Sequence, residues 1–190
     1  MKNDLLLTFI SIPLFVSSIL FAPLSSQAGE FEVSATASYQ QSSYGAHFST
    51  TVRRYSASIG YHFFSHSELE VSVQDVLFKN QFGVSENTTF HDQIYSVQWV
   101  QTLLPERFWV QPYFRAGLGQ LNREASGSYA GGGSPPSIYD SVTAVGGVGL
   151  RIRLSKSFGL KAEGATYLVG GQVSTWRENF GVSGGFSLFF

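Results

Sequence analysis

The chain has 190 residues, a formal net charge of −1 and only 13% charged residues, about half the charged fraction of an ordinary soluble domain. It contains no cysteine, which excludes a disulfide framework, thiolate metal centres and cysteine nucleophiles, and its near-neutral balance argues against a nucleic-acid partner, which requires a basic face. The length suits one domain, in which 20 Gly, 17 Phe, 9 Tyr and 3 Trp stand where surface charge would ordinarily be.

Residues 1–28 combine Lys2, an apolar run from Leu5 to Leu24 broken by Pro13 and Pro23, and a Ser26-Gln27-Ala28 exit. These are the parts of a cleaved secretory signal peptide, with the mature domain expected at 29–190. No later apolar run reaches the roughly 18 residues of a membrane helix.

From Glu30 onward the pattern has period two. Phe31, Val33, Ala35, Ala37 and Tyr39 alternate with Glu32, Ser34, Thr36, Ser38 and Gln40, which predicts a strand with one apolar and one polar face. Tyr55, Ala57, Ile59, Tyr61 and Phe63 form a second set, Leu69, Val71 and Val73 a third, and Tyr95, Val97, Trp99 and Leu103 a weaker fourth. After Pro105 the apolar phase moves to even positions. Val110, Pro112, Phe114, Ala116 and Leu118 come first, then Val142, Ala144, Val148, Leu150, Ile152 and Leu154. Phe158, Leu160, Ala162 and Leu168 follow, and Phe180, Val182, Phe186, Leu188 and Phe190 complete eight segments. Short connectors at Ser65-His66-Ser67, Leu104 to Phe108 and Ser155-Lys156-Ser157 alternate with longer ones at 41–53, 78–92, 122–137 and 169–178. Short and long turns at opposite ends suit a barrel whose four long loops face outside the cell. The Gly-Ser-Pro-rich stretch from Gly127 to Pro136 reads as a loop with no preformed pocket.

Charge placement separates a membrane barrel from a soluble sandwich. No charged residue falls in the eight apolar sets, whereas the complementary faces carry Glu32, Arg54, Glu68, Glu70, Arg115, Arg151, Arg153, Lys161 and Glu163. A Lys or Arg facing lipid near mid-bilayer costs about 2–4 kcal/mol, and an open sheet edge in hydrocarbon would strand backbone polar groups. The expectation is an all-β, eight-stranded, antiparallel up-and-down transmembrane barrel with a polar interior, filled by side chains. Pairing the sixth and seventh segments across Lys156 sets Arg151 opposite Lys161, with Glu163, Glu32, Glu68 and Glu70 as the available carboxylates. Such a network is tolerable only when nearly all its members are paired.

Aromatic residues cluster at both ends: Phe31, Tyr61, Phe63, Phe108, Trp109, Phe158, Phe189 and Phe190 near the short turns, and Tyr39, Tyr55, Tyr95 and Phe180 near the long loops. Two belts at the membrane interfaces are expected.

The carboxy-terminal alternation of Val182, Phe186, Leu188 and terminal Phe190 resembles the signature that the assembly machinery of bacterial outer-membrane barrels reads. The segment Pro112-Tyr-Phe-Arg-Ala-Gly-Leu-Gly119 is similar to a strand common in small OmpA-like and OmpX-like barrel domains. This resemblance implies an outer-membrane location after export. The partners it implies are outer-membrane lipid, lipopolysaccharide and the barrel-assembly machinery, with an extracellular partner for loops 41–53, 78–92, 122–137 and 169–178.

Some barrels of this size are enzymes that edit lipid A. The only His-x-Ser, His47-Phe48-Ser49, resembles the deacylase pair but lies early, lacks the following Asn, and has Tyr61 where that family's Glu would stand. His47 with Asp92 or Asp140 imitates a palmitoyltransferase set, since a base needs an orienting carboxylate, but no amphipathic amino-terminal helix accompanies it. His62 and His66 are about 13 Å apart on a strand, and His91-Asp92 is a lone pair, so no metal site, cofactor or catalytic set is expected. The Gly131 to Gly133 run lacks the context of a phosphate cradle. The reading is a non-enzymatic membrane barrel with a structural and surface-interaction role. A lipid A-modifying enzyme, a narrow channel and a secreted carrier are the alternatives.

Overall fold

The computed structural model describes residues 29–43, 48–82, 86–105, 108–128 and 138–190. Period-two segments can bury their polar side only by closing on themselves, and they do. The strands are β1 (Glu30–Ser43), β2 (Phe48–Phe64), β3 (Ser67–Phe82), β4 (Glu86–Thr102), β5 (Val110–Ser128), β6 (Ile138–Arg153), β7 (Phe158–Val169) and β8 (Gly181–Phe189). Each pairs antiparallel with the next, and β8 pairs with β1 to close the barrel. The seam runs to the last residue, because Phe190 and Phe31 exchange both backbone hydrogen bonds at 2.9 and 3.1 Å. Residues 1–28, expected from the sequence to be a signal peptide, lie outside the described residues.

The strands are longer than the alternation foretold. A crossing needs roughly 9–11 residues, yet β2 and β4 have 17 and β5 has 19. Most of the expected loops at 41–53, 78–92 and 122–137 are therefore strand. Gln41↔Thr51, Asn80↔Thr88 and Arg123↔Tyr139 are register pairs within the ladders. Above the membrane both faces of a strand meet water, so the hydropathic contrast that marks period two disappears while the backbone pairing continues. Only 44–47, 83–85 and 129–137 of those loops lie outside the described residues. The connection from β7 to β8 holds a short 3-10 turn at Val173–Thr175 and α1 (Trp176–Asn179).

The outer wall is aliphatic. Val33, Ile59, Val71, Val97, Leu118, Val148, Leu150 and Val182 all point outward and are exposed. Phe31 and Tyr61, cross-strand partners with ring centroids 5.0 Å apart, stand at the short-turn end with Phe108, Trp109 and Phe190. Tyr39, Tyr55, Tyr95 and Phe180 stand exposed toward the other end. Phe31 to Tyr39 spans nine positions of β1, one membrane crossing. Phe189 departs from the expected belt. It is 3% exposed and faces inward, because the odd positions of β8 line the lumen.

Candidate functional site

Seven of the nine charges singled out above form one connected cluster in the short-turn half of the lumen. Arg151 Nη2 pairs with Glu32 and, at 2.9 Å, with Glu68. Lys161 Nζ lies 3.1 Å from Glu32 and 3.5 Å from Glu70, and Arg115 bridges Glu70 at 3.4 Å and Glu163 at 2.6 Å. Every member is buried. Arg151 does stand opposite Lys161 in the ladder, and the carboxylates of β1 and β3 separate the two cations. Hydroxyls complete the shell, with Ser187 donating to Glu32 at 2.7 Å and Tyr113 to Glu163 at 2.8 Å. Arg151 also lies 5.6 Å from the ring centroids of both Tyr113 and Phe189. Gly60 makes room for this layer, since a Cβ there would collide with the Glu68 carboxylate.

The other two charges stand apart. Arg153 pairs with Glu30 at 2.7 Å at the short-turn rim. Arg54, 5% exposed, makes no ion pair within 4 Å among the described residues and donates through Nη2 to the Asn179 carbonyl at 2.8 Å.

Above the charged layer come hydroxyl ladders, including Ser34–Ser58 and Ser72–Ser96 at 2.7 and 2.8 Å. Next, within the polar interior, is an apolar layer that alternation did not predict: Val76, Ile94, Leu121, Val145 and Tyr167 form a buried cluster, backed by Val52, Phe78 and Val169. Tyr167 donates to Asp92 at 2.6 Å, and Arg123 grips the same carboxylate with two bonds of 2.6 Å. Asp92 is fully buried in β4 rather than in a loop, and parity carried upward from Gln98 and Ser96 leads to it.

No catalytic set assembles among the described residues. Asp92 is saturated by Arg123 and Tyr167, Asp140 is exposed at the end of β6, and His47 lies outside the described residues. Glu32, His62 and Glu68 present ligand atoms within 4.8 Å of one another, a donor set chemically suited to a metal. Arg151 already bridges both carboxylates, and His62 Nε2 sits 3.4 and 3.5 Å from them. His91 pairs instead with Asp75 at 2.6 Å on the outer wall.

At the long-loop end the lumen opens into a cup of about 500 Å³. Its walls carry two rows of inward residues in register. The lower row runs Gln40, Val52, Phe78, Phe90 and the upper row Ser42, Thr50, Asn80. α1 closes the opposite side through Arg177, Glu178 and Asn179.

No family model and no curated protein matches the chain. Solved structures do match. The amino-terminal β-barrel domain of Pseudomonas aeruginosa OprF aligns over 86% of this chain and 98% of its own, with a TM-score of 0.58 and 18% identity. Ail, the attachment invasion locus protein of Yersinia pestis, solved with the heparin analogue sucrose octasulfate, aligns over 86% of this chain and 100% of its own, with a TM-score of 0.55 and 17% identity. The fold is that of the small eight-stranded outer-membrane β-barrels, of the OmpA-like and OmpX-like type.

Proposed function

We propose that the chain is an integral, non-enzymatic barrel of the bacterial outer membrane that anchors an extracellular binding end. The observation that carries this reading is the sidedness of the wall: a continuous aliphatic band faces out between two aromatic girdles, and the ionised groups of the spans face in. Strands that continue well beyond the band raise the long-turn ends of the barrel above the bilayer, the arrangement of a protein that presents a surface to partners. Ail shares the fold and is an attachment protein, which supports an adhesive or host-factor role. Arg53 and Lys79, outward and exposed above Tyr55, stand where lipopolysaccharide phosphates would meet the wall. Val182, Phe186, Leu188 and Phe190 lie along the outer face of the closing strand, where assembly machinery would grip it. The two filled layers of the lumen favour an anchor over a channel.

A heat-modifiability gel on outer-membrane fractions tests this reading. The unheated band is expected to migrate differently from the boiled one and to stay with the membrane pellet. Recovery as a soluble protein without detergent contradicts the reading.

A further inference from the structure

We propose that the cup at the long-loop end is a binding site for a sugar ring, the terminal pyranose of an extracellular glycan. This rests on the outer-membrane reading above and names the chemistry of its binding end.

The cup rests on a filled layer: Val52 and Phe78 of its lining pack against the buried apolar cluster of Val76, Ile94, Leu121 and Val145, which blocks the lumen beneath them. Its volume of about 500 Å³ falls within the roughly 300–1,000 Å³ of small-molecule clefts. The two rows of its wall differ in chemistry. Phe78 and Phe90 are direct cross-strand partners on the lower row and offer apolar ring surface. On the upper row Ser42, Thr50 and Asn80 are register neighbours, and none makes a side-chain hydrogen bond among the described residues. Half-buried and facing the open cup, these amide and hydroxyl groups are solvated and can exchange water for the hydroxyls of a ligand.

An apolar shelf beneath a polar rim matches a pyranose, whose axial C–H face is apolar and whose equatorial hydroxyls radiate in the ring plane. An anion would match less well. Arg123, on the strand wall, already gives Nε and Nη2 of its guanidinium to Asp92 and lies over the Phe90 ring at 5.5 Å. Arg177 on the facing wall has Glu178 beside it. The lining thus carries cations and an acid together and no cluster of cations alone, which favours recognition by stacking and neutral hydrogen bonds.

The test is saturation-transfer NMR on the folded chain in detergent micelles, with maltotriose, chitotriose, lactose and a mannose trisaccharide as probes. At least one is expected to receive saturation on its ring C–H protons, with affinity changed less than about twofold on raising salt well beyond physiological strength. Asn80→Ala and, separately, Phe90→Leu are each expected to weaken binding by about tenfold or more, while both variants keep the heat-modifiable mobility that reports a closed barrel. No transfer to any of the four probes overturns the proposal, as does transfer that both variants leave unchanged. Binding that salt abolishes also overturns it, since that outcome points to an anion site. A folded, heat-modifiable barrel that binds no sugar refutes the cup as a glycan site while leaving the membrane reading intact.

Discussion

Replacing Arg151 with Met probes the charged layer at its most connected point. Arg151 is 1% exposed, and Met keeps much of its apolar bulk against Tyr113 and Phe189, so the change removes charge more than packing. The two carboxylates it holds are left unequally. Glu32 keeps Lys161 at 3.1 Å, the Ser187 hydroxyl at 2.7 Å and His62 at 3.4 Å. Among the described residues Glu68 keeps only His62 at 3.5 Å, and its Oε1 already lacks a hydrogen-bond partner there. Breaking a buried pair from one side costs about 3–5 kcal/mol, because the surviving charge is uncompensated, and here that charge is Glu68. Adding Glu68→Gln should return most of the loss and leave the double variant within about 2 kcal/mol of the parent. Urea unfolding in lipid vesicles, followed by tryptophan fluorescence and by gel mobility, measures both. A single variant within about 0.5 kcal/mol of the parent would refute the reasoning, as would a double variant whose loss equals or exceeds the sum of the singles.

Three further changes probe other parts of the barrel. Val148, 65% exposed on the outer wall, should cost about 2–4 kcal/mol as Arg in bilayer refolding, whereas Glu124→Arg, above the band, should cost about 0–1 kcal/mol; equal costs would contradict the placement of the membrane. Tyr167→Phe removes the 2.6 Å bond to buried Asp92 and should destabilise by about 1.5–3 kcal/mol, read as a lowered urea midpoint with unchanged gel mobility. Gly60→Ala drives a methyl into the Glu68 carboxylate, which Arg151 holds in place, and should lose about 1–3 kcal/mol; a neutral result would mean that the charged layer is looser than its distances imply.

The membrane-embedded half of the molecule was legible because there the two faces of each strand meet opposite solvents. Val33 against Glu32, Val71 against Glu70 and Leu150 against Arg151 each state the sidedness within two residues. The phase change after Pro105 carried it through to Phe190. The closed order of strands followed from the need to satisfy every backbone group in hydrocarbon. Above the bilayer that contrast ends. Thr50, Thr51, Asn80 and Gln81 are polar whichever way they point, so strand there reads as loop, and alternation places Asp92 and Arg123 in loops although they lie on the inward parity of β4 and β5. The apolar layer escaped for a related reason. Val76, Ile94 and Leu121 break the polar run of the inner face, and alternation treats such residues as faults in the pattern when they form a buried layer across the lumen. Arg54 shows the limit of counting charges. It was expected to join a network, but its partner is the backbone carbonyl of Asn179, 125 residues away in sequence.

Because the chain has no cysteine, a single spin-labelled cysteine reports one position cleanly, and paired sites give the most direct test of the barrel's sidedness. Labels at Val71, Leu118 and Val148 in reconstituted bilayers should relax strongly with dissolved oxygen and weakly with a water-soluble nickel chelate. A label at Ser72 should show little access to oxygen. Nickel access at Val71 and Val148 equal to that of an exposed loop site would place the aliphatic wall in water and contradict the account.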